Sequence, residues 1–174
     1  MEKLFDDGPF MQKERPKDLT SKQKEDFYRD KAKEIIKDGV SDDDLETIIE
    51  DLKKLSQYDD GYELAKKLER IGEASYDIDT SFVEWLDWMF HSYREIQRKN
   101  ERDWVKAHNI KPKLEIGVPY QLKENLDRDY LKEQTIYIIR YYELEGEYVI
   151  NTKKDANGGR VIHFEIVEER VRLD

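Results

Sequence analysis

The chain has 174 residues, a formal net charge of −10, 41% charged against 37% hydrophobic side chains, and no cysteine. At that length roughly 70% of the extended-chain surface can be buried, so one domain or two small ones is expected. An aromatic share of 11% argues against a disordered polymer. The missing thiols exclude disulfide frameworks, thiolate metal sites and cysteine nucleophiles, and suit a reducing, cytoplasmic setting.

No run approaches the ~18 apolar residues of a membrane span, and the first residues lack the basic-then-apolar layout of a signal peptide. A soluble chain with no membrane partner is expected. The charge is uneven, because residues 38–87 hold 16 Asp and Glu against 5 Lys and Arg, a net of −11. A field of that sign repels a phosphate backbone and attracts basic protein surfaces.

Residues 1–19 contain Gly8, Pro9 and Pro16 and read as an irregular arm that docks through Phe5 and Phe10. A first helix starts at Thr20 or Ser21 and stops at Gly39, with Tyr28, Ala32, Ile35 and Ile36 on one face. Ser41 is placed to cap a second helix, SDDDLETIIEDLKKLSQ, whose stripe is Leu45, Ile48, Ile49, Leu52 and Leu55. Asp42, Asp43 and Asp44 fall in its first turn, where the macrodipole favours anions. After Asp59-Asp60-Gly61 a third helix follows, with Leu64, Leu68 and Ile71 inward and Gly72 as its stop.

The fourth helix, from Ser81 to Lys106, carries all three tryptophans. Phe82, Trp85, Leu86, Met89, Tyr93, Ile96 and Trp104 form one stripe at helical spacing. Ser81 with Glu84 has the capping-box spacing, and Asn109 and Pro112 mark the end. Short connections among these helices predict a four-helix bundle over residues 20–111.

After Pro112 the apolar period changes to two. Leu114–Leu122, Thr135–Tyr142, Glu147–Thr152 and Arg160–Val167 read as strands separated by turns, which makes the chain α+β. Residues 112–174 are expected to close into a small antiparallel β-barrel or bent sheet. Alternation would put Tyr137, Ile139 and Tyr141 on one face and Ile138, Arg140 and Tyr142 on the other.

The opening PKLEIGVPYQL, the meander and the closing HFEIVEERVRL resemble a small β-barrel of the Src-homology type. That resemblance implies binding of peptides, proteins or nucleic acid rather than catalysis. No familiar motif marks residues 1–111.

Candidate chemistry thins out on inspection. His91 and His108 are about 25 Å apart along one helix and cannot share a metal, and His163 alternates with Ile162 and Phe164 as an outward strand residue. The consecutive acids of SDDDLE do not alternate as calcium ligands must, and NTKKDANGGR lacks the GxxxxGK[ST] phosphate-loop pattern. No metal, cofactor or catalytic residue is assigned. Trp88 lies off the apolar stripe, where it is either covered by a neighbouring element, the favoured reading, or exposed as an anchor.

The expected function is therefore binding, by an adaptor or inhibitor that meets a basic protein surface. The residues assigned to it are Asp42, Asp43, Asp44, Glu46, Glu50, Asp51, Asp59 and Asp60 along the second and third helices, with Trp88, Tyr141 and Tyr142. Size, charge and missing cysteine suit an accessory protein of a phage or mobile element that blocks a nucleic-acid-handling enzyme. Two alternatives are direct nucleic-acid binding through Arg140, Lys153, Lys154 and Arg160, and a structural assembly component. An enzyme using scattered carboxylates and a hydrated metal is the third.

Overall fold

The structure, a computed structural model, describes residues 14–122 and 135–171. Phe5 and Phe10, the expected anchors of the arm, lie outside the described residues. Helices and a four-stranded antiparallel sheet make the chain mixed α+β. It divides into two compact units, residues 16–100 and residues 1–15 with 101–174. The boundary falls within the fourth helix, upstream of the change in residue pattern at Pro112. Among the described residues no helix is long and apolar enough to cross a membrane.

In the helical unit, α1 (Ser21–Lys37) opens with a capping box: Gln23 N donates to Thr20 Oγ1, and the Gln23 side chain accepts from Thr20 N. It closes in a Schellman turn, with Gly39 at φ +69° and the amides of Gly39 and Val40 donating to Ile36 and Ile35. The next two helices are α2 (Leu45–Lys53) and α3 (Gly61–Ile71), and α4 spans Thr80–Ala107.

The caps of α2 and α4 differ from expectation, and in both the residue immediately before the helix is an aspartate that takes the role expected of a serine. Asp44, not Ser41, caps α2 through Glu46 N and Thr47 N, and Ser41 is buried in the preceding turn, accepting from Asp43 N. Asp79 rather than the Ser81–Glu84 pair caps α4, accepting from Phe82 N at 2.8 Å. Each cap places an anion at the positive end of a helix dipole.

Ile48, Ile49, Leu52, Leu64, Leu68, Leu86 and Met89 are almost fully buried in one core. Removing such a side chain from water stabilises by about 1.5–3 kcal/mol. Close backbone approach is concentrated between α1 and α2, while α3 and α4 complete the core through their side chains. A regular four-helix bundle is therefore not what the described contacts show.

Two carboxylates hold the connections of this unit. Asp51, 1% exposed, accepts from Glu73 N at 2.7 Å, Ala74 N at 2.9 Å, the Tyr76 hydroxyl at 3.0 Å and Lys54 Nζ at 2.9 Å. Asp18 accepts from the Tyr93 hydroxyl, Leu19 N, Lys24 and Gln97. Burial alone would raise both carboxyls, but these hydrogen bonds outweigh it and hold both below the ordinary 3.8. Their stabilisation is complete above that value and is lost as pH falls below it, through the depressed folded values. On acidification from about pH 6 to about pH 2, the stability gap between wild type and Asp51→Asn should narrow below pH 3.8. A gap that stays constant in urea titrations across that range would show that Asp51 is not the titrating support.

The second unit is a meander of β1 (Pro119–Gln121), β2 (Thr135–Tyr142), β3 (Glu147–Asn151) and β4 (Arg160–His163), paired in that order. Two expected strands are shorter than predicted. Only Pro119–Gln121 of the first forms a ladder, with an isolated bridge from Ile116 to Ile138. The last ends at His163, and α5 (Phe164–Arg170) replaces the rest. There Phe164, Val167 and Val171 are buried at helical spacing, an arrangement that satisfies the core better than alternation would. An antiparallel bridge between Leu122 and Val171 returns the chain to the end of β1.

A bulge in β2 reverses the expected alternation. Pairing runs from Ile138↔Ile150 directly to Arg140↔Val149, leaving Ile139 as the extra residue. With Ile136 and Ile138 facing the core, an unbroken strand would drive Arg140 inward. The bulge leaves Arg140 exposed and turns Tyr141 onto Phe164, ring centroids 6.4 Å apart.

Arg15 clamps this unit. Its Nε and Nη2 fork onto Glu165 at 2.7 and 3.2 Å, while Nη1 and Nη2 donate to the carbonyls of Glu145 and Gly146. The guanidinium lies 5.3 Å from the Trp104 ring centroid. Gly146, at φ +63°, leaves room for it, since a Cβ there would stand 2.7 Å from Arg15. Nearby, the buried Tyr148 hydroxyl accepts from Lys113 N and Leu114 N and donates to Glu168. Burial, then the Glu168 carboxylate, pushes this phenol well above its ordinary range.

Candidate functional site

The acids of residues 38–87 do not form one continuous outer face. Many are spent on backbone amides: Asp43 accepts from Ser75 N at 2.6 Å, Asp60 from Glu63 N and Asp87 from Gly61 N, besides Asp44, Asp51 and Asp79. Others meet cations, with Glu46 on Arg29, Glu50 on Lys53, Glu63 on Lys66 and Glu73 on Lys54. Helical spacing of three residues brings two of these pairs together, Glu50 with Lys53 and Glu63 with Lys66, and α1 supplies Arg29. The expected run of free carboxylates along α2 and α3 is thus interrupted by caps and ion pairs while its net charge stays negative, and Asp51 is buried rather than presented.

Asp38, Asp42, Asp59, Glu69, Asp77 and Glu84 remain exposed, with no ion pair or side-chain hydrogen bond. Asp38 and Asp77 stand on the rim of one pocket of about 400 Å³, together with Glu34 and Asp79. Its walls include Ile35, Val40, Phe82 and Trp85. The Schellman turn explains the placement: it carries the chain from Asp38 past Gly39 to Val40, whose carbonyl accepts from Asp77 N at 2.8 Å. The aromatic wall is ordered by stacking, Tyr76 on Phe82 and Phe82 on Trp85, at 5.9 and 5.6 Å between centroids and 13° between planes. Glu34 accepts from Trp85 Nε1 at 3.1 Å and is paired with Lys31, so the carboxylates without a cation are Asp38, Asp77 and Asp79, of which Asp79 is engaged in capping α4.

The chain matches no protein-family model, no curated protein and no solved structure.

Trp88 is 66% exposed rather than covered, its ring roughly perpendicular to that of His91 with 5.1 Å between centroids. Its helix position between the buried Leu86 and Met89 directs it outward, beyond the reach of the core. Tyr58 and Tyr62 are also exposed, and Lys66 lies over Tyr62 at 4.2 Å. The sequence signal for Trp88, an indole off the apolar stripe, was visible; for Tyr58 and Tyr62 there was none. Of the sheet tyrosines, Tyr142 is exposed and Tyr141 packs on Phe164; they lie on opposite faces as expected, and the bulge decides which of the two faces the core.

Of the other sheet candidates, Arg140 is tied into a turn. Arg140 donates to the Asn157 carbonyl at 3.1 Å, and Asn151 closes the same loop by donating to Gly158 O and accepting from Lys153 N. His163 pairs with Glu147 at 3.3 Å. Among the described residues no group of three His, Asp or Glu is arranged to hold a metal ion.

Proposed function

We propose that the chain is a non-catalytic binding protein, an adaptor or inhibitor whose helical unit engages a basic protein surface. One observation carries this reading: the carboxylates Asp38 and Asp77, left without cations, stand together at an aromatic-walled pocket. Residues 16–100 hold 22 Asp and Glu against 15 Lys and Arg, so the local field adds to the long-range one. Exposed Trp88 supplies an anchor of the type enriched in interface hot spots. The absence of cysteine suits a partner in a reducing, cytoplasmic compartment.

Titration against a strongly basic nuclease at about 50 and about 300 mM salt tests the charge pairing. The expected result is an affinity at least about tenfold weaker at the higher salt, with Trp88→Ala weakening it further by about tenfold. Binding insensitive to salt, or retention of single- or double-stranded oligonucleotides on a filter in place of the nuclease, would overturn the reading.

A further inference from the structure

Resting on the binding reading above, we infer that the pocket between the end of α1 and the start of α4 is a subsite for one arginine side chain of the partner. The pocket has two features in one place. Trp85, half-buried and backed by the buried Phe82 on which it stacks, offers aromatic surface, and the rim carries carboxylates at Asp38 and Asp77 that are committed to nothing else among the described residues. An apolar pocket without the acids would take an aliphatic side chain, and acids without the pocket would only attract loose counterions.

Guanidinium satisfies both features at once. It is planar, stacks on aromatic faces and forks onto carboxylates, while its three-carbon stem lies along apolar walls such as Ile35 and Val40. A lysine ammonium is a more strongly hydrated point charge and loses more on entering such a site. The volume of about 400 Å³ lies in the range of small-ligand pockets and accommodates a side chain, not a whole helix. Glu34 is held by Lys31 and Trp85, while Asp79 keeps one carboxylate oxygen on Phe82 N and adds its charge to the rim from a fixed position.

The test uses the full chain labelled with ¹⁵N, with nona-arginine and nona-lysine peptides as probes at low salt. The Trp85 indole N–H signal is assigned from its loss in Trp85→Phe. Nona-arginine should bind at least about fivefold more tightly than nona-lysine and should move the Trp85 indole signal. The double variant Asp38→Asn with Asp77→Asn should erase that preference. Neither carboxylate makes a described side-chain bond, so folding should be unchanged, as circular dichroism will verify. A control, Asp59→Asn with Glu69→Gln, removes the same charge outside the pocket and should keep the arginine preference. Equal binding of the two peptides, with equal losses in both double variants, would overturn the subsite and leave surface charge pairing intact. Failure of both peptides to bind wild type would overturn the binding reading and the subsite with it.

Discussion

Asp51→Ala is expected to destabilise the helical unit by about 3–5 kcal/mol, the loss typical of removing one partner from a buried ionic network. The carboxylate serves Glu73 N, Ala74 N, the Tyr76 hydroxyl and Lys54 together. Its removal strands amides that water reaches poorly, each costing about 1–3 kcal/mol. Lys54 can fall back on Glu73, 3.3 Å away, so the cation is the smaller part of the loss. Asp51→Asn keeps one acceptor oxygen and should lose about half as much. Glu50→Ala, one residue earlier on the exposed face, should change stability by about 0.5 kcal/mol or less. Urea unfolding followed by circular dichroism reads all three. A loss below about 1 kcal/mol for Asp51→Ala would mean that the segment from Glu73 to Tyr76 is held by something other than this carboxylate.

Arg15→Ala should have the corresponding effect on the sheet-containing unit, about 3 kcal/mol. The side chain is 7% exposed and joins Glu165, the Glu145 and Gly146 carbonyls and the Trp104 face. Burial would raise the Glu165 carboxyl, yet the Arg15 bonds keep it below its ordinary range, so removing the arginine leaves a poorly solvated charge. Arg15→Lys should recover less than half of the loss, because an ammonium cannot fork to the carboxylate and reach both carbonyls. Urea unfolding followed by near-ultraviolet circular dichroism, to which Trp104 and Tyr148 of this unit contribute, reads the loss. Full rescue by lysine would reduce the clamp to simple charge neutralisation.

Features written in local period were legible without coordinates. The α1 start at Thr20 or Ser21, the stop at Gly39, Leu64 and Leu68 of the α3 stripe and the span of β2 depend on neighbours within a few residues, and those neighbours are visible in the chain, whereas Ile71, expected inward on α3, is exposed. Errors occurred where two local signals competed. FEIVEER satisfies both period two and a helical turn, and only the burial of Phe164, Val167 and Val171 together selects the helix. Similarly, Ser41 and Asp44 are both good caps, and the packing of the preceding turn buried the serine.

The roles of most individual acids were not legible, although the acids at the start of the second helix were placed there. Asp51 and Glu50 are adjacent and chemically alike, yet one anchors a distant segment and the other sits on the surface. Composition determined that residues 38–87 would carry excess negative charge, and periodicity determined which elements would bear it. Which carboxylates meet amides, which meet lysines and which stay free was decided by tertiary structure. The reason is physical: pairing falls off within a few ångströms, and contacts between residues 22 to 32 positions apart, such as Asp51 with Glu73 and Asp43 with Ser75, exist only after the chain has folded back on itself.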